Sequence, residues 1–458
     1  MGKTIFEEAK IVKTLNEAKY SHIHRLTILA GAFGALTDIF IIQALGASTF
    51  SIVPHFLLST SNFSYTASFI LIGGFIGALL VGRIVDVIGR RNVFLGTLAA
   101  IIVLSVVSAF AQTATELDII RLLMGFADGA NYPAVLSLVA EFLPTKRRGR
   151  GISYIWVGFA LGGVLSYLAG FFLYVTIGPT TFEWRILLGM GAIPATIALA
   201  LQISLPESPR WAISKGKYEM ASNSIKRLTG TELAMSELEN SRQALFIDQA
   251  PVLKRHRRTY ILLAIPLVVA IFGFNLIPGA LATLNPTILS SLNVQKADTL
   301  LFSASFWVFQ LIASLIVAST IETGRLRLVL VGGILESVSA ILVVFIYHSP
   351  IVLFIAFSGI FFFGFLAIPV LRNTGSELFP TEFRGLSNGI IMGTDRFAVV
   401  AGLLMTPILF VGNDVIRLFL VYGIFGIIGS IAAFIGLHRL KIDKRSLEQI
   451  QSELTGGE

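Results

Sequence analysis

The sequence contains no cysteine and few charged residues. With no Cys among 458 residues, disulfides, thiol catalysis and Cys-ligated metal centres are excluded. Charged residues make up 14% of the chain, against about 25% in a soluble domain. No Walker-type phosphate loop is present, so we expect no use of ATP, no cofactor, no metal ion and no enzymatic activity. The segment Met1–Ile23 is of mixed charge and lacks an apolar run followed by small residues, so we expect no signal peptide.

Long hydrophobic runs dominate the rest of the sequence. Hydrophobic residues make up 55% of the chain, and the mean hydropathy is +0.80. A transmembrane helix needs about 20 mostly apolar residues, and such runs follow one another almost throughout. They do not alternate between apolar and polar residues as barrel strands do, and lipid allows only helices or closed barrels to span it. The sequence therefore predicts an all-α membrane protein whose main partner is the lipid bilayer.

Twelve membrane spans are predicted, and a polar segment divides them six and six. We expect an N-terminal six-helix bundle over residues 1–205, a linker over 206–258, a C-terminal bundle over 259–438 and a tail over 439–458. The linker contains two amphipathic helices, which we expect to lie on the membrane surface. The predicted spans extend over about 26–48, 65–85, 92–111, 118–142, 150–175, 185–205, 259–282, 299–321, 327–347, 351–378, 386–411 and 416–437.

The basic residues predict the orientation of these spans. Most of the 35 Lys and Arg residues fall in the two termini, the linker and the even-numbered connections, whereas the odd-numbered connections contain essentially Lys296 alone. Connections rich in Lys and Arg are cytoplasmic. We therefore expect a multi-pass plasma membrane protein with both termini in the cytoplasm. The same distribution explains the net charge of +8, so we expect no nucleic-acid partner.

Two charged motifs occur twice at a constant separation. The segment "EFLPTKRRG" (Glu141–Gly149) is repeated later in the chain as "ELFPTEFRG" (Glu377–Gly385). The interval from Asp86, in "GRIVDVIGRR", to Glu322, in "ASTIETGRLR", equals the interval from Glu141 to Glu377. Two motifs that share one offset indicate a duplicated six-helix unit. Parallel six-helix halves related by an axis along the membrane normal are a transporter architecture.

These motifs resemble those of the major facilitator superfamily over nearly the whole chain. "GRIVDVIGRR" is similar to the signature between helices 2 and 3, and "RLLMGFADGANYP" (Arg121–Pro133) is similar to the helix 4 motif. "PESPRW" (Pro206–Trp211) and the repeated nonapeptide resemble elements of the sugar-porter-like branch. The resemblance implies twelve transmembrane helices in two pseudo-symmetric bundles, the major facilitator fold. It also implies a secondary active transporter that works by alternating access and functions as a monomer.

The duplicated charged motifs predict a cytoplasmic gate. An Arg and a carboxylate pair in fork geometry, and such pairs could hold the two halves together until the cavity opens inward. The alternative is that these charges only anchor helix ends at the membrane interface and cap them. The candidate gate residues are Asp86, Arg90, Arg91, Glu141, Arg148, Glu322, Arg325, Glu377 and Arg384.

Ionisable residues within the spans are candidates for proton coupling, because charges at membrane depth are costly. Asp38 and Arg121 match, by motif position, the helix 1 acid and helix 4 Arg of proton-coupled sugar porters. An Asp beside an Arg stays ionised, and it takes up a proton when the two are separated. Asp128 lies seven residues after Arg121 on the same helix face and is a second candidate. The alternative is a static buried pair. For Glu336 we expect a pairing inside the C-terminal half.

Two arginines predict the class of substrate. Arg372 stands where sugar porters place a pocket Trp, five residues before Glu377, and the helix 7 stretch lacks the Gln residues of a sugar site. Arg396 precedes a Gly-containing stretch, as in organic-ion and aromatic-acid carriers. Two planar guanidinium groups suit a carboxylate, and Asp395 could neutralise one of them when the site is empty. The alternative is that Arg372 pairs with Asp395 or Glu377 and leaves no net positive pocket. The predicted substrate-binding residues are Arg372, Arg396, Asp395, Asn131, Tyr132 and Gln310.

The function predicted from these residues is proton symport of a small organic anion. Three alternatives remain open at this point. A proton-coupled sugar or polyol carrier is the first and a phosphate carrier the second, although "NYP" at residues 131–133 has Asn where phosphate–proton symporters have Asp. The third is a membrane sensor on the same scaffold that binds its substrate without transporting it.

Overall fold

The computed structural model describes residues 10–18, 20–246, 250–321, 324–346, 349–378, 384–411 and 414–440. Every regular element in those ranges is a helix. The helices are α1 (Lys10–Asn16), α2 (His22–Ala47), α3 (Thr49–His55), α4 (Thr60–Ile88), α5 (Arg90–Ser108), α6 (Ala114–Phe142), α7 (Thr145–Ile177), α8 (Thr181–Gly189), α9 (Ala192–Ile203), α10 (Pro209–Ser214), α11 (Tyr218–Thr229), α12 (Met235–Phe246), α13 (Ala250–Ser291), α14 (Lys296–Thr320), α15 (Arg325–Ile346), α16 (Pro350–Leu378), α17 (Arg384–Leu409) and α18 (Val415–Leu440).

Twelve of these segments form the membrane bundle, as predicted. Eleven are long and apolar enough to cross a membrane, with α8 and α9 together forming one of them. The twelfth is α6, which has the length of a span but carries Glu116, Asp118, Arg121, Asp128 and Glu141. It packs along α4, which is itself a span. α6 is therefore a charged span of the bundle.

The duplication is visible in the helix boundaries. α6 and α16 each contain 29 residues, and both their first and their last residues are separated by the interval that separates the paired sequence motifs. α4 and α14 begin at the same offset. The two halves therefore repeat one order of helices, as the paired motifs predicted.

Small residues bring α6 against α4 inside the N-terminal half. A Cβ atom on Gly125 would overlap the carbonyl oxygen of Ile70, and one on Gly129 would overlap that of Gly74. Contacts this close need glycine, and such small-residue faces are typical of packed membrane helices. The packing fixes the rotation of α6 and so the direction in which Asp128 points.

The two halves touch through α7 with α14, α4 with α17, and α2 with α13. The Tyr167 hydroxyl of α7 donates a hydrogen bond to the carbonyl of Ala282 in α13. Beside it, Thr283 Oγ1 donates to Gln43 Oε1 over 3.3 Å. The halves are thus joined by polar contacts as well as by packing.

The sixth and seventh spans differ in detail from the prediction. The sixth is broken after Gly189, where Gly191 lies close to Ile41 and Ser105. The seventh, α13, continues through Pro266, Pro278 and Pro286. Proline removes one backbone donor, and neighbouring helices in a membrane bundle can compensate for that loss. Neither feature follows from hydropathy alone.

The linker helices pack on protein, and their expected position on the membrane surface stays a prediction. α11 contacts α10, α12 and α1, and its apolar face is buried, with Ile225 and Leu228 almost fully enclosed. Ile11 and Leu15 of α1 are buried in the same hydrophobic core. The apolar stripe that suggested lipid contact is instead covered by the other short helices.

Candidate substrate and proton site

Five charged residues from four helices are buried at the interface between the halves. Asp38 lies on α2, Asp128 on α6, Arg372 on α16, and Asp395 and Arg396 on α17. None of the five is more than 8% exposed. We call these five residues the central cluster. The sequence singled out all five, because each interrupts an apolar run.

Arg396 forms ion pairs that cross between the halves. Its Nη2 atom lies 2.6 Å from Asp38 Oδ1 and 2.9 Å from Asp128 Oδ2. Gly74 of α4 leaves room for this side chain, since a Cβ there would lie 3.5 Å from Arg396 Nε. An arginine of the C-terminal half is therefore held by two acids of the N-terminal half.

Arg372 is also held on several sides. Its Nε donates to Asp395 Oδ1 over 3.1 Å, its Nη2 contacts the same oxygen, and Nη2 donates to Asn275 Oδ1 over 3.2 Å. Its guanidinium carbon lies 4.5 Å from the ring centroid of Trp156, a distance at which the ring attracts a cation. Trp156 in turn donates from Nε1 to Asn373 Oδ1 over 3.1 Å. Arg372 therefore links α7 of one half to α13, α16 and α17 of the other.

Aromatic rings continue this interface on one side of the cluster. Phe159 stacks on Phe365 with ring centroids 5.8 Å apart and lies 6.0 Å from Trp307. The ring of Trp307 occupies the space that a Cβ on Gly163 would take. Gln310 is buried one turn further along α14, on the face that Trp307 shares. The predicted residue Gln310 thus lies beside an aromatic wall.

The predicted pair of Asp38 and Arg121 is not the pair that the structure forms. Asp38 contacts Arg396, whereas Arg121 Nε donates to the carbonyl of Thr66 over 3.2 Å. The acidic neighbour of Arg121 is Asp118, one turn earlier on the same helix. The spacing of Asp118 and Arg121, three residues apart, could have indicated this neighbour. Arg121 is therefore turned towards α4 rather than towards the central cluster.

Three other predicted residues form no ion pair or hydrogen bond with the central cluster in the described part of the chain. Asn131 is buried inside the N-terminal half, where its Nδ2 would lie 3.6 Å from a Cβ on Gly34. The side chain of Tyr132 is outside the described residues. Glu336 is fully buried against Gly364, and neither of its oxygens has a partner among the described residues. The pairing expected for Glu336 does not form among the described residues.

The described gate residues form contacts within their own halves. Arg90 Nη2 lies 2.8 Å from Glu141 Oε1, and Glu141 also accepts a hydrogen bond from the Ser208 hydroxyl. Arg91 Nη2 donates to the carbonyl of Ile203 over 2.8 Å, and Arg325 Nε donates within its own half to the carbonyl of Ile321 over 3.3 Å. A latch between the halves stays a prediction, because the remaining side chains lie outside the described set: Asp86, Arg148, Glu322, Glu377 and Arg384.

Glu207, which lies in the motif "PESPRW" but was not among the predicted site residues, caps α5. Its Oε1 accepts hydrogen bonds from the backbone N–H groups of Arg90 and Arg91, each over 3.1 Å. The N-terminus of a helix carries unpaired N–H groups and attracts a carboxylate. Gly89 precedes this cap with φ of +107°, and a Cβ there would collide with Glu207. The sequence offered no local signal, since Glu207 and Arg91 are 116 residues apart.

Comparison with known proteins agrees with this architecture. The sequence model of the family described as "Sugar (and other) transporter" matches residues 8–454. The putative metabolite transport protein YaaU of Escherichia coli is 29% identical, over 92% of this chain and 94% of the relative. The major myo-inositol transporter IolT of Bacillus subtilis is 27% identical, over 80% of this chain and 81% of its own.

A solved structure shows the same fold. The proton:xylose symporter XylE, a protein of the major facilitator superfamily, superposes with a TM-score of 0.76 at 21% identity, over 94% of this chain and 98% of the symporter. At that identity the likeness concerns the fold alone, whereas the family match covers almost the whole sequence. The chain therefore belongs to the family of sugar (and other) transporters, has the major facilitator fold and is a multi-pass membrane transporter.

Proposed function

We propose that this protein is a proton-coupled symporter of a small neutral polyhydroxylated molecule, a sugar or a polyol. The observation that carries the proposal is the charge of the central cluster. Two guanidinium groups face three carboxylates, so the cluster has a formal charge of −1 when all five are ionised. A buried site of that sign repels an anion. A neutral substrate together with one proton leaves the cluster electrically balanced.

The organic anion expected from Arg372 and Arg396 is the weaker interpretation. Asp395 forms an ion pair with the guanidinium group of Arg372, and Asp38 and Asp128 form ion pairs with that of Arg396. An anion would have to displace a carboxylate of the protein from one of them. The alternative of a sugar or polyol carrier fits this arrangement better. It also agrees with the relatives, which include transporters named for myo-inositol and for arabinose with protons.

Side chains around the cluster suit a polyhydroxylated ligand. The amides of Asn275 and Asn373 each offer both a donor and an acceptor to hydroxyl groups, and both are buried beside Arg372 or Trp156. The flat faces of Trp156 and Trp307 can pack on the C–H face of a sugar ring. We propose these four residues, together with Gln310, as the substrate-binding set in place of the predicted Asn131.

The direction of the chain in the membrane belongs to the same proposal. The distribution of the Lys and Arg residues supports a cytoplasmic position for both termini and for helices α10–α12. The ion pair between Arg90 and Glu141 would then lie at the cytoplasmic ends of α5 and α6. In this orientation, alternate opening of the two ends of the bundle would expose Asp38 to each compartment in turn.

Uptake into proteoliposomes tests the proposal. We expect at least one of xylose, arabinose, glucose and myo-inositol to accumulate when a pH gradient is imposed, and small carboxylates not to accumulate. Asp38→Asn should abolish accumulation driven by the gradient while counterflow exchange persists, because exchange needs no net proton movement. The control is Asp414→Asn, at the beginning of α18, which removes only a partly exposed pair with Arg417.

Two results would contradict the proposal. Accumulation of a carboxylate with none of the neutral compounds would assign the site to anions. Undiminished uphill uptake by Asp38→Asn would remove Asp38 from proton coupling.

A further inference from the structure

Two of the three acids of the central cluster, Asp38 and Asp128, form a close pair on the N-terminal half of the molecule. Asp38 and Asp128 come from α2 and α6, and one oxygen of each contacts the same Nη2 atom of Arg396. Their other oxygens, Asp38 Oδ2 and Asp128 Oδ1, are buried and have no hydrogen-bond partner in the described part of the chain. If one of the two carboxyl groups carries a proton, it can donate a hydrogen bond to the other carboxylate. That bond would give both of these oxygens a partner.

The charges around the pair set how many protons it needs. The charged side chain that contacts it is Arg396 from α17, whereas Asp395 of the same helix pairs with Arg372 from α16. Trp156 from α7 and Asn275 from α13 contact Arg372, and Gly74 from α4 lies beside Arg396, so these three described residues add no charge. An uncompensated charge in a dry interior is expensive, and two carboxylates that share a site do not both ionise there.

We propose that Asp38 and Asp128 act as one site that shares a single proton when the halves close, with Arg396 of the opposite half as its counter-ion. The inference deepens the proposed function, on which it rests, by adding Asp128 and Arg396 as coupling residues. Closure brings Arg396 to the acid pair, and the shared proton cancels the charge of −1 that the cluster would otherwise bury. The proton is thus a condition of closure itself. Arg121 is not the counter-ion.

The balance of charge predicts a distinct pH response for each substitution. Lowering the pH from the alkaline side should favour the closed arrangement of the wild-type protein through a one-proton transition. Asp38→Asn and Asp128→Asn each leave a neutral cluster, so closure should lose this transition. Arg396→Gln leaves a charge of −2, so the transition should steepen towards two protons. The double variant Asp128→Asn/Arg396→Gln returns the charge to −1 and should restore the one-proton transition.

The absence of cysteine makes this response measurable without substrate. Spin labels on Phe182→Cys and Ile351→Cys, whose parent residues are 70% and 72% exposed, place one label on each half. Pulsed electron–electron double resonance measures the distance between the two labels. It therefore gives the fraction of molecules with the closed inter-half distance at each pH. Arg121→Gln in the same background should retain the wild-type transition.

The inference fails if Asp128→Asn keeps the wild-type transition, if Arg396→Gln does not differ from wild type, or if Arg121→Gln abolishes the transition. The double variant guards against a simple loss of folding, because disruption of the site would not restore a one-proton response. Failure of the proposed function is distinguishable, since sugar uptake could be absent while the distances still respond to pH. Conversely, if sugar uptake is coupled to protons but the distance between the labels does not change with pH, only the inference is overturned.

Discussion

Arg372 shows what a buried ion pair demands of single residues. Its guanidinium group is enclosed by Asp395, Asn275 and the ring of Trp156. Both charges of the pair have left water, so each depends on the other for its compensation. The pair lies within the C-terminal half and can persist while the halves separate, whereas the contact with Trp156 of the other half must be broken.

We expect Arg372→Met to lower the free energy of unfolding by about 3–5 kcal/mol, because Asp395 would be left buried without its partner. The double variant Arg372→Met/Asp395→Leu should recover most of that loss, since it removes both charges. Thermal unfolding of the purified protein in detergent measures both. Arg417→Met is the matched control, because its pair with Asp414 is largely exposed and 3.6 Å long, and its removal should cost less than about 1 kcal/mol. A double variant as unstable as the single one would contradict this account.

The members of the central cluster could be predicted from the sequence, but their partners could not. Each charge stands out within an apolar run, so hydropathy alone singles out Asp38, Asp128 and Arg396. The ion pairs, however, join residues 358 and 268 positions apart, and periodicity carries no information across such distances. Family resemblance suggested Arg121 as the partner of Asp38, whereas in this arrangement Arg121 donates to the carbonyl of Thr66 and Asp38 pairs with Arg396.

At the scale of single elements, α6 is the helix on which the site depends. It carries Asp128 towards the opposite half, and its glycines press against α4. Because Gly125 and Gly129 lie four residues apart, they form one stripe on the helix. A rotation of α6 that relieved crowding along this stripe would also turn Asp128 away from Arg396.

We expect Gly129→Ala to destabilise the protein by about 1–3 kcal/mol, because the added Cβ meets the backbone of Gly74 and cannot be accommodated by a side-chain movement. Gly96→Ala on α5 is the matched control, since nothing lies within 4 Å of its Cβ position. That substitution should be neutral or stabilise by up to about 1 kcal/mol through helix propensity. Melting temperatures of the two variants decide the matter, and equal values would show that the α4–α6 contact is not tight.

The existence of the helices was predictable, whereas their interruptions were not. Apolar runs predicted the twelve spans because a backbone in lipid must satisfy its own hydrogen bonds, which a helix does. At the break before Gly191, Ile41 and Ser105 from other helices leave no room for a side chain. α13 continues through three prolines, which a membrane bundle can accommodate because neighbouring helices can satisfy the freed backbone groups. Both are tertiary effects that a single segment does not encode.

On the scale of the whole molecule, the two halves are held by a small number of polar contacts. Arg396 bridges them at the centre, and Tyr167 bridges them near Ala282. Alternating access requires such contacts to form and break in each cycle. Polar contacts within one half need not break during the cycle. A contact of that kind can therefore serve as the control for a hydrogen bond between the halves.

We expect Tyr167→Phe to shift the molecule away from the closed arrangement, because it removes a buried hydrogen bond between the halves. A cysteine in place of Thr283, in this otherwise cysteine-free chain, should then react several-fold faster with a maleimide in detergent. Tyr422→Phe is the control, because that hydroxyl bonds to Thr406 over 2.6 Å within the C-terminal half. Equal labelling rates in the two variants would show that the Tyr167 bond does not restrain the halves.

The short helices beyond the membrane make the two moving bodies unequal. Glu207 and Ser208 attach the start of the linker to α5 and α6, the Ser21 hydroxyl donates to Leu228 of α11 over 3.5 Å, and α1 packs on α11 and α12. These helices are therefore a rigid extension of the N-terminal bundle. A fluorophore or antibody fragment attached to α11 or α12 will report the tilt of that bundle alone, with the C-terminal bundle as the unmarked reference.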